Sequence, residues 1–320
     1  MSFFRLESGV DQNTQGACPR LWNSAFVDYD GSVYACCHYQ PGTFGNLLHE
    51  PLESIREGAA ATRMREQALR TGTPCFSACS ILTADERSAP TPSDPRVPGP
   101  IERLHLLFGE GCGLDCVMCH QDHRNPSMLS ADMVMAQTSP LPDTVIEVQG
   151  GEPLQLKESR AYLRAIIAQG HRPTVITNGL FLSGELARTL VTGCSRIKVS
   201  LNAASAAVHD NVNRGSSWTK VIGNLKEAVR LRDDVDRSAR LIGHMTLVAQ
   251  NYREAAAFVA LCAELELDGI EFGFDAQTLP YALAQDREID LLRKQMRTVV
   301  AKHGERLRLR PDRLLRLGLL

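Results

Sequence analysis

The chain has 320 residues, of which 43% are hydrophobic and 22% charged, and its formal net charge is −2 at pH 7. This length allows one large α/β domain and a small one. The near-neutral charge argues against nucleic-acid binding, and no apolar run approaches the roughly 20 residues that span a bilayer. The N-terminus lacks the apolar core of a signal peptide. We therefore expect a cytoplasmic protein that binds neither nucleic acid nor membrane.

Ten cysteines are many for a chain in the cytoplasm, where they indicate metal or redox chemistry rather than disulfides. Five lie in the first quarter of the chain, three form a tight run, and two stand alone. In that order they are Cys18, Cys36, Cys37, Cys75 and Cys79; Cys112, Cys116 and Cys119; and Cys194 and Cys262. We expect the last two to be small core residues.

A stretch rich in Pro, Ser and charge, 83–100, predicts a linker. It divides the chain into a cysteine-rich domain over 1–82, a barrel over 101–280 and a helical extension over 281–320. The extension is rich in arginine, which predicts a solvated helix face. Contact with a phosphate-bearing or acidic substrate is the alternative. The arginines concerned are Arg306, Arg308, Arg310, Arg313 and Arg316.

After residue 100, strand-like apolar runs alternate with helix-like stretches, which predicts parallel βα units. The predicted strands are 102–108, 144–149, 173–177, 196–201, 241–248 and 269–275. The predicted helices are 127–138 with Ser130 as N-cap, 157–169, 183–192, 217–232, 252–266 and 286–303. Six units are too few for a (β/α)8 barrel. The predicted fold class is α/β, a partial (β/α)6 TIM-like barrel preceded by a small cysteine-rich domain, with the site at the carboxyl ends of the strands.

The tight cysteine run, Cys112, Cys116 and Cys119, has C-x3-C-x2-C spacing and follows the first predicted barrel strand directly. Three thiolates this close together can hold three irons of a [4Fe–4S] cluster and leave the fourth iron open for a small molecule. Zinc prefers four ligands in spaced pairs, although His120 could complete a zinc site. Inert buried cysteines are a third interpretation.

The cysteine run and the motifs that follow it resemble the radical S-adenosylmethionine (SAM) superfamily over residues 101–275. The further motifs are Gly150-Gly151-Glu152-Pro153 after the second strand, Thr177-Asn178-Gly179 at the end of the third, and Ser200 and Asn202 at the end of the fourth. The resemblance implies a [4Fe–4S] cluster whose open iron binds the amino and carboxylate groups of SAM. Reductive cleavage of SAM would then give a radical that removes a hydrogen atom from the substrate.

The resemblance also implies roles for single residues. The glycines of the Gly150–Glu152 motif would allow close approach to SAM, whose amino group meets this motif in the family. Ser200 and Asn202 would contact the ribose and methionine parts of SAM, and Arg214 its carboxylate. Met118 stands where the family usually has an aromatic residue beside the adenine.

The N-terminal cysteines carry a second resemblance, to the SPASM/twitch type of auxiliary iron–sulfur domain. The matching segments are Cys18-Pro-Arg-Leu-Trp, Asp30-Gly31 through Cys36-Cys37, Gly45-Asn46-Leu47, Pro51-Leu52-Glu53-Ser54-Ile55, and Thr73-Pro74-Cys75 through Cys79. The Asp30-Gly31 pair between two β-rich runs predicts a hairpin, and a helix is predicted over 51–70. Most proteins of this type carry the domain after the barrel, so its position here leaves open whether it covers the barrel mouth.

Four cysteines suffice for a second [4Fe–4S] cluster. The predicted ligands are Cys18, Cys36, Cys75 and Cys79. Cys37 is the spare, because adjacent residues of a strand point to opposite faces, and the alternative set exchanges Cys36 for Cys37. A structural zinc site is the other interpretation.

Polar residues alternate along predicted strands that should be buried on both faces, which indicates an interior filled by a ligand. Lys198, His244 and Glu271 are therefore candidate catalytic residues that bind the substrate or transfer protons. Internal ion pairs are the alternative.

These observations predict a radical SAM enzyme, of the oxidoreductase or bond-forming kind, with two [4Fe–4S] clusters and SAM as cofactors. We expect a small-molecule substrate and a reducing partner such as flavodoxin or ferredoxin. A maturase of a ribosomal peptide is the first alternative. The second is a non-catalytic iron–sulfur electron carrier or sensor, which would need neither the glycine motif nor Asn202 and Arg214.

Overall fold

A computed structural model describes residues 16–320 of the chain, apart from 38–41, 77–78, 80–81, 83, 91 and 236–237. The prediction that no signal peptide is present concerns residues outside this part. The chain divides into two compact units. The first takes the described residues of Met1–Glu110, Arg124–Gly150 and Leu156–Ile166, and the second takes those of Gly111–His123, Gly151–Gln155 and Ile167–Leu320. The predicted domain boundaries stay a prediction.

The elements of the described chain alternate from about residue 100 onward as the sequence predicts. The strands are β1 (Ser24–Val27), β2 (Ser32–Tyr34), β3 (Gly45–Asn46), β4 (Arg103–Leu107), β5 (Asp115–Cys116), β6 (Val145–Gln149), β7 (Thr174–Thr177), β8 (Arg196–Ser200), β9 (Asn213–Arg214), β10 (Arg240–Leu247) and β11 (Gly269–Phe274). The helices are α1 (Arg20–Asn23), α2 (Leu52–Glu57), α3 (Ala59–Thr71), α4 (Ala84–Ser88), α5 (Ala131–Gln137), α6 (Lys157–Ala168), α7 (Gly184–Gly193), α8 (Ala206–Val212), α9 (Trp218–Asp233), α10 (Ala255–Glu264), α11 (Leu279–Gln285), α12 (Ile289–His303) and α13 (Asp312–Arg316).

The strands of the first unit are adjacent in the order β6, β4, β1, β2, β3. Strand β4 is parallel to both of its neighbours, and its His105 lies opposite Phe26 of β1 and Glu147 of β6. Strands β1 and β2 form the antiparallel hairpin predicted from Asp30-Gly31, and Gly31 has a φ of +83° that favours glycine. The cysteine-rich segment therefore extends the barrel sheet alongside the first predicted barrel strand.

The predicted helix over 51–70 is two helices, α2 and α3, because Gly58 between them has an extended backbone conformation. The buried Arg65 of α3 donates to the carbonyl of Leu21 at 2.8 Å. The predicted linker also has structure, because it contains α4. Glu86 of α4 accepts hydrogen bonds from Arg20 at 3.0 Å and from Arg103 of β4 at 3.2 Å. These ion pairs fix α4 against α1 and β4.

In the second unit, the parallel strands β7, β8, β10 and β11 are adjacent in that order. Helices α7, α9 and α10 bury apolar faces in the core, which includes Leu190, Val191, Leu225, Phe258 and Val259. The short antiparallel ladder of β5 and β9 forms a separate sheet. Cys194 and Cys262 are buried, as expected of core residues.

The six predicted barrel strands are all present, and their ends agree within about a residue. Ser130 caps α5 as predicted and accepts a hydrogen bond from Met133 N–H at 3.2 Å. The predicted α/β fold class, a partial (β/α)6 barrel preceded by a small cysteine-rich domain, is confirmed. None of the described helices has both the length and the apolarity needed to cross a bilayer.

Candidate functional site

The loop with Cys112, Cys116 and Cys119 is fixed by backbone pairing in the second unit. The β5–β9 ladder places Cys116 opposite Asn213, and Cys119 N–H donates to the Cys116 carbonyl at 3.0 Å. Cys112 and Cys116 are half-buried, whereas Cys119 is exposed. Met118, in the same loop, is half-buried. The three thiols therefore lie on one short, ordered loop.

Burial raises the pKa of the Cys116 thiol to about 12, and the neighbouring Cys119 and Cys112 raise it further. Burial also raises the pKa of Cys112, although the Leu114 N–H, 3.4 Å from its Sγ, works against this. Such a trio needs a nearby positive charge before all three thiols ionise, and bound iron supplies that charge. The donor set therefore fits three ligands of a [4Fe–4S] cluster.

Glu152 of the glycine motif is fully buried, and hydrogen bonds occupy both of its carboxylate oxygens. Oε1 accepts from the Thr177 hydroxyl at 2.7 Å and from Leu154 N–H at 2.9 Å. Oε2 accepts from Asn178 N–H at 2.7 Å. Burial raises the pKa of Glu152, and these three donors oppose that rise. The carboxylate thus fixes the end of β7 against the glycine motif.

The same motif also fixes the cysteine loop. Glu152 N–H donates to the carbonyl of Gly111 at 3.0 Å, and the Gln155 side chain accepts from Gly113 N–H at 3.1 Å. The side-chain amide of Asn178 donates to Cys112 Sγ at 3.9 Å. The cysteine loop, the motif and the end of β7 therefore form one hydrogen-bonded assembly.

Gly150 lies in the first unit, at the end of β6, and has a φ of +148°. A Cβ atom at this position would lie 2.5 Å from the carbonyl oxygen of Gly109, closer than two such atoms can approach. Both the backbone conformation and the missing space therefore require glycine here. Gly151, which follows, is half-buried.

Asn202 follows β8 in a left-handed conformation with a φ of +56°. Its side chain donates to Asn213 Oδ1 at 2.9 Å and accepts from Thr246 N–H at 2.8 Å. Asn213 also donates to the Leu201 carbonyl at 2.9 Å. Because Asn213 is the ladder partner of Cys116, this network connects the end of β8 to the cysteine loop.

Two further predicted SAM contacts lie in the same unit. Arg214 donates from Nε to the Asp115 carbonyl at 2.8 Å, and its Nη2 is 2.9 Å from Asp115 Oδ2. Both side chains are more than half exposed. Ser200 is half-buried at the end of β8, and its carbonyl accepts from Asn213 at 3.4 Å.

The predicted catalytic residues form a second polar group. Glu271 accepts from Lys198 at 3.1 Å and from Arg196 at 2.8 Å. Burial would raise the pKa of Glu271, but the charges of Lys198 and Arg196 hold it at about 2. Burial lowers the pKa of His244 to about 3, with help from Lys198. At neutral pH this group therefore contains an ionised carboxylate, cations and an uncharged imidazole.

Several residues of these networks were not among the predicted site residues. Those near the cysteine loop are Asp115, Asn178 and Asn213. Those of the second polar group are Arg196 and Arg313, whose Nη1 donates to the Phe272 carbonyl at 2.7 Å. Arg196 has the same strand parity as Lys198, so alternation could have identified it. Strand alternation says nothing about Arg313, which lies in the arginine-rich tail, where substrate contact is only the alternative to a solvated helix face.

In the first unit, Cys18 is buried and the other four N-terminal cysteines are half-buried. The Cys18 backbone N–H donates to the Thr73 hydroxyl at 2.9 Å, which joins the two ends of the domain. Burial raises the pKa of the Cys18 thiol to about 12, and the thiols that raise it further are Cys36, Cys75 and Cys79. Burial also raises the pKa of Cys37 to about 12, with Cys36 and Glu147 as its acidic neighbours.

Across the whole described chain, no three His, Cys, Asp or Glu side chains converge as the ligands of a single metal ion do.

Comparison with known families identifies the families that the barrel region and the N-terminal cysteine domain resemble. A family model described as the radical SAM superfamily matches residues 106–262, and one described as an iron-sulfur cluster-binding domain, SPASM, matches residues 18–80. The chain belongs to the radical SAM superfamily. Its SPASM domain precedes the barrel domain, and the predicted cofactors, [4Fe–4S] clusters and SAM, are confirmed by this membership.

Curated relatives match part of this radical SAM chain. A GTP 3′,8-cyclase of Peptoclostridium acidaminophilum is 28% identical over 179 residues, 52% of this chain and 54% of the relative. A probable GTP 3′,8-cyclase of Methanothermobacter thermautotrophicus is 26% identical over 171 residues, 52% of this chain and 55% of the relative. The chain spans about half the length of these relatives.

Solved structures with a similar fold include Streptococcus suis SuiB bound to the precursor peptide SuiA. That match has 12% identity and a TM-score of 0.49, and it covers 92% of the radical SAM chain and 71% of SuiB. Another is anSMEcpe with bound AdoMet and a Cp18Cys peptide, with 14% identity and a TM-score of 0.43, covering 65% and 62% of the two chains.

Proposed function

We propose that this radical SAM protein is an enzyme that cleaves SAM and forms or oxidises a bond in a small molecule, with Cys112, Cys116 and Cys119 as the ligands of its catalytic cluster. One observation carries the proposal: within the region matched by the family model, the cysteine loop is hydrogen-bonded to Glu152 of the glycine motif and to Gln155, which follows the motif. A cluster held by these three cysteines would supply the electron for reductive cleavage of a C–S bond of SAM.

The protein's own part is to hold and shield the reactants. In this proposal Gly150 and Gly151 allow the backbone to approach SAM. Glu152 is a positioning residue, since protein donors already occupy its carboxylate. Arg214 binds the SAM carboxylate. Its present partner, Asp115, is solvent-exposed, and an exposed ion pair exchanges at little cost.

Asn202 and Ser200 line the SAM site in the same proposal. The side chain of Asn202 is held by Asn213 and by the Thr246 backbone, so Asn202 can keep the end of β8 in place beside the ribose. Met118 fills the space beside the adenine, and its flexible side chain suits that task.

A second cluster is proposed in the N-terminal domain, with Cys18, Cys36, Cys75 and Cys79 as ligands. The mutual electrostatic effect of these thiols supports the set. Cys37 interacts with Cys36 and Glu147 but not with Cys18, Cys75 or Cys79, so we assign it no iron. With four protein ligands, this cluster has no open iron for SAM and is suited to electron transfer.

The matched relatives named GTP 3′,8-cyclase support a small-molecule substrate and a bond-forming reaction. We therefore do not propose the ribosomal-peptide alternative. A flavodoxin or ferredoxin as reductant and a cytoplasmic location remain parts of the proposal.

The test is anaerobic incubation of the iron-loaded protein with SAM and dithionite, followed by measurement of 5′-deoxyadenosine. We expect product from the wild type and none from Cys112→Ala, Cys116→Ala or Cys119→Ala. Cys194→Ala is the matched control, since it removes a buried thiol from the core, and it should retain the activity. Product from all three loop variants at the wild-type rate would refute the assignment.

A further inference from the structure

The polar group in the interior of the second unit contains more positive than negative charge. Glu271 is its carboxylate, and Arg196 and Lys198 share it. Arg313 of α13 is a third cation close enough for Glu271 to affect its pKa. Even if Arg196 is not counted, the two positive charges of Lys198 and Arg313 exceed the single negative charge of Glu271.

Arg313 does not belong to the solvated helix face predicted for the tail. Its Nη1 donates to the carbonyl of Phe272 in β11 at 2.7 Å, which is an uncharged partner. Burial lowers the pKa of Arg313, so its charge is held in a poorly solvated place. A buried cation of this kind is costly unless an anion balances it.

The space in front of Arg313 is outlined by Gly273. A methyl group at this position would lie 3.3 Å from His244 Nε2, 3.4 Å from Thr246 Oγ1 and 3.5 Å from Arg313 Nη1. Three polar atoms from β10 and α13 therefore surround one point beside β11, and the absence of a side chain at Gly273 leaves that point clear.

His244 adds an independent observation. Its Nδ1 is buried and has no hydrogen-bond partner among the described residues. The ring atom that faces the point beside Gly273 is the other nitrogen, Nε2. Because an N–H without an acceptor is unfavourable in a buried place, the imidazole proton belongs on Nε2, where it can be donated to a ligand at that point.

We propose that Lys198, His244 and Arg313 bind a phosphoryl group of the substrate, with Arg313 as a specificity-determining residue. The proposal rests on the proposed function, because it assigns the substrate class of the same barrel. His244 of β10 interacts electrostatically with Lys198 of β8 and with Arg313 of α13, so an imidazole, an ammonium and a planar guanidinium from three elements are grouped together. A phosphoryl group offers three acceptor oxygens and up to two negative charges, whereas a carboxylate offers two oxygens and one charge.

The experiment measures the binding of inorganic phosphate by calorimetry to the full-length, iron-loaded protein, without SAM or reductant. We expect saturable binding that Arg313→Gln weakens about tenfold or more, since a charged hydrogen-bonded partner is lost. Arg310→Gln, an exposed arginine of the same tail, is the matched control and should bind phosphate as the wild type does.

Two further variants separate the proposal from misfolding. Glu271→Gln removes the competing carboxylate and should bind phosphate more tightly, a gain that a damaged fold does not produce. Gly273→Ala keeps every charge but fills the space between His244 and Arg313, and should weaken binding. Equal affinity of Arg313→Gln and Arg310→Gln would overturn the proposal, as would unchanged affinity in Glu271→Gln or acetate binding as tight as phosphate binding.

The measurements distinguish failure of the phosphoryl-site proposal from failure of the proposed radical SAM function. Loss of phosphate binding with intact formation of 5′-deoxyadenosine would remove the phosphoryl site and leave the radical SAM function in place. Specific phosphate binding without SAM cleavage would support the phosphoryl site and refute the radical SAM function.

Discussion

Glu152 and Asn178 are joined by a 2.7 Å hydrogen bond from the Asn178 backbone N–H to the fully buried Glu152 carboxylate. The Asn178 side chain in turn reaches Cys112 Sγ at 3.9 Å. One buried carboxylate therefore sets the position of a residue that contacts a proposed cluster ligand.

Replacing this carboxylate tests that role. Glu152→Gln turns one acceptor oxygen into an N–H donor that faces the protein's own donors, so we expect a loss of about 1–3 kcal/mol in the free energy of unfolding. Denaturant unfolding of samples with equal iron content measures the loss. Glu185→Gln, at an exposed site on α7, is the control. Equal stability of the two variants would show that the Glu152 hydrogen bonds do not hold this region.

Gly150 is predicted to tolerate no side chain. Gly150→Ala forces a Cβ atom within 2.5 Å of the Gly109 carbonyl oxygen in addition to the positive φ. Gly170→Ala is the matched control, since Gly170 has a φ of +92° but no atom within 4 Å of a Cβ there. The free energy of unfolding of the control should fall by about 1 kcal/mol from backbone strain alone, and that of Gly150→Ala should fall clearly further. Similar losses in denaturant unfolding would mean that the clash is relieved.

Much of this architecture could be predicted from the sequence, because the period of apolar residues is a local signal. The six barrel strands, the Ser130 cap and the Asp30-Gly31 hairpin all follow from neighbouring residues. The pairing of β1 with β4 joins segments far apart in sequence, and no local pattern specifies it. The inward position of Arg313 was missed for the same reason, since a short helix such as α13 has the same sequence pattern whether solvent or a strand lies beside its arginines.

Arg214 and Asp115 make opposite predictions for SAM. Arg214→Gln should weaken SAM binding about tenfold, because the carboxylate of SAM loses its charged partner. Asp115→Asn should leave binding unchanged or tighten it, because it removes the competing carboxylate. Neither variant should alter the iron content. Anaerobic SAM titration makes the comparison, and equal weakening in both variants would indicate that the pair serves only to shape the loop.

Cys36 and Cys37 are adjacent but are expected to differ in iron binding. Cys36→Ala removes a thiol that interacts with Cys18 and Cys75, whereas Cys37→Ala removes one that interacts only with Cys36 among the proposed ligands, and with Glu147. We expect the first variant to lose the second cluster, about four irons per chain, and the second variant to keep it. Iron analysis decides between them, and the reverse pattern would assign Cys37 as the ligand.

The central claim, an open iron at the cysteine loop, is tested most directly by electron paramagnetic resonance of the reduced protein before and after addition of SAM. We predict two cluster signals in the wild type, of which one shifts with SAM. In the Cys112→Ala/Cys116→Ala/Cys119→Ala variant we predict one signal, about four irons per chain, and no response to SAM. A signal that shifts with SAM in this triple variant would contradict the account.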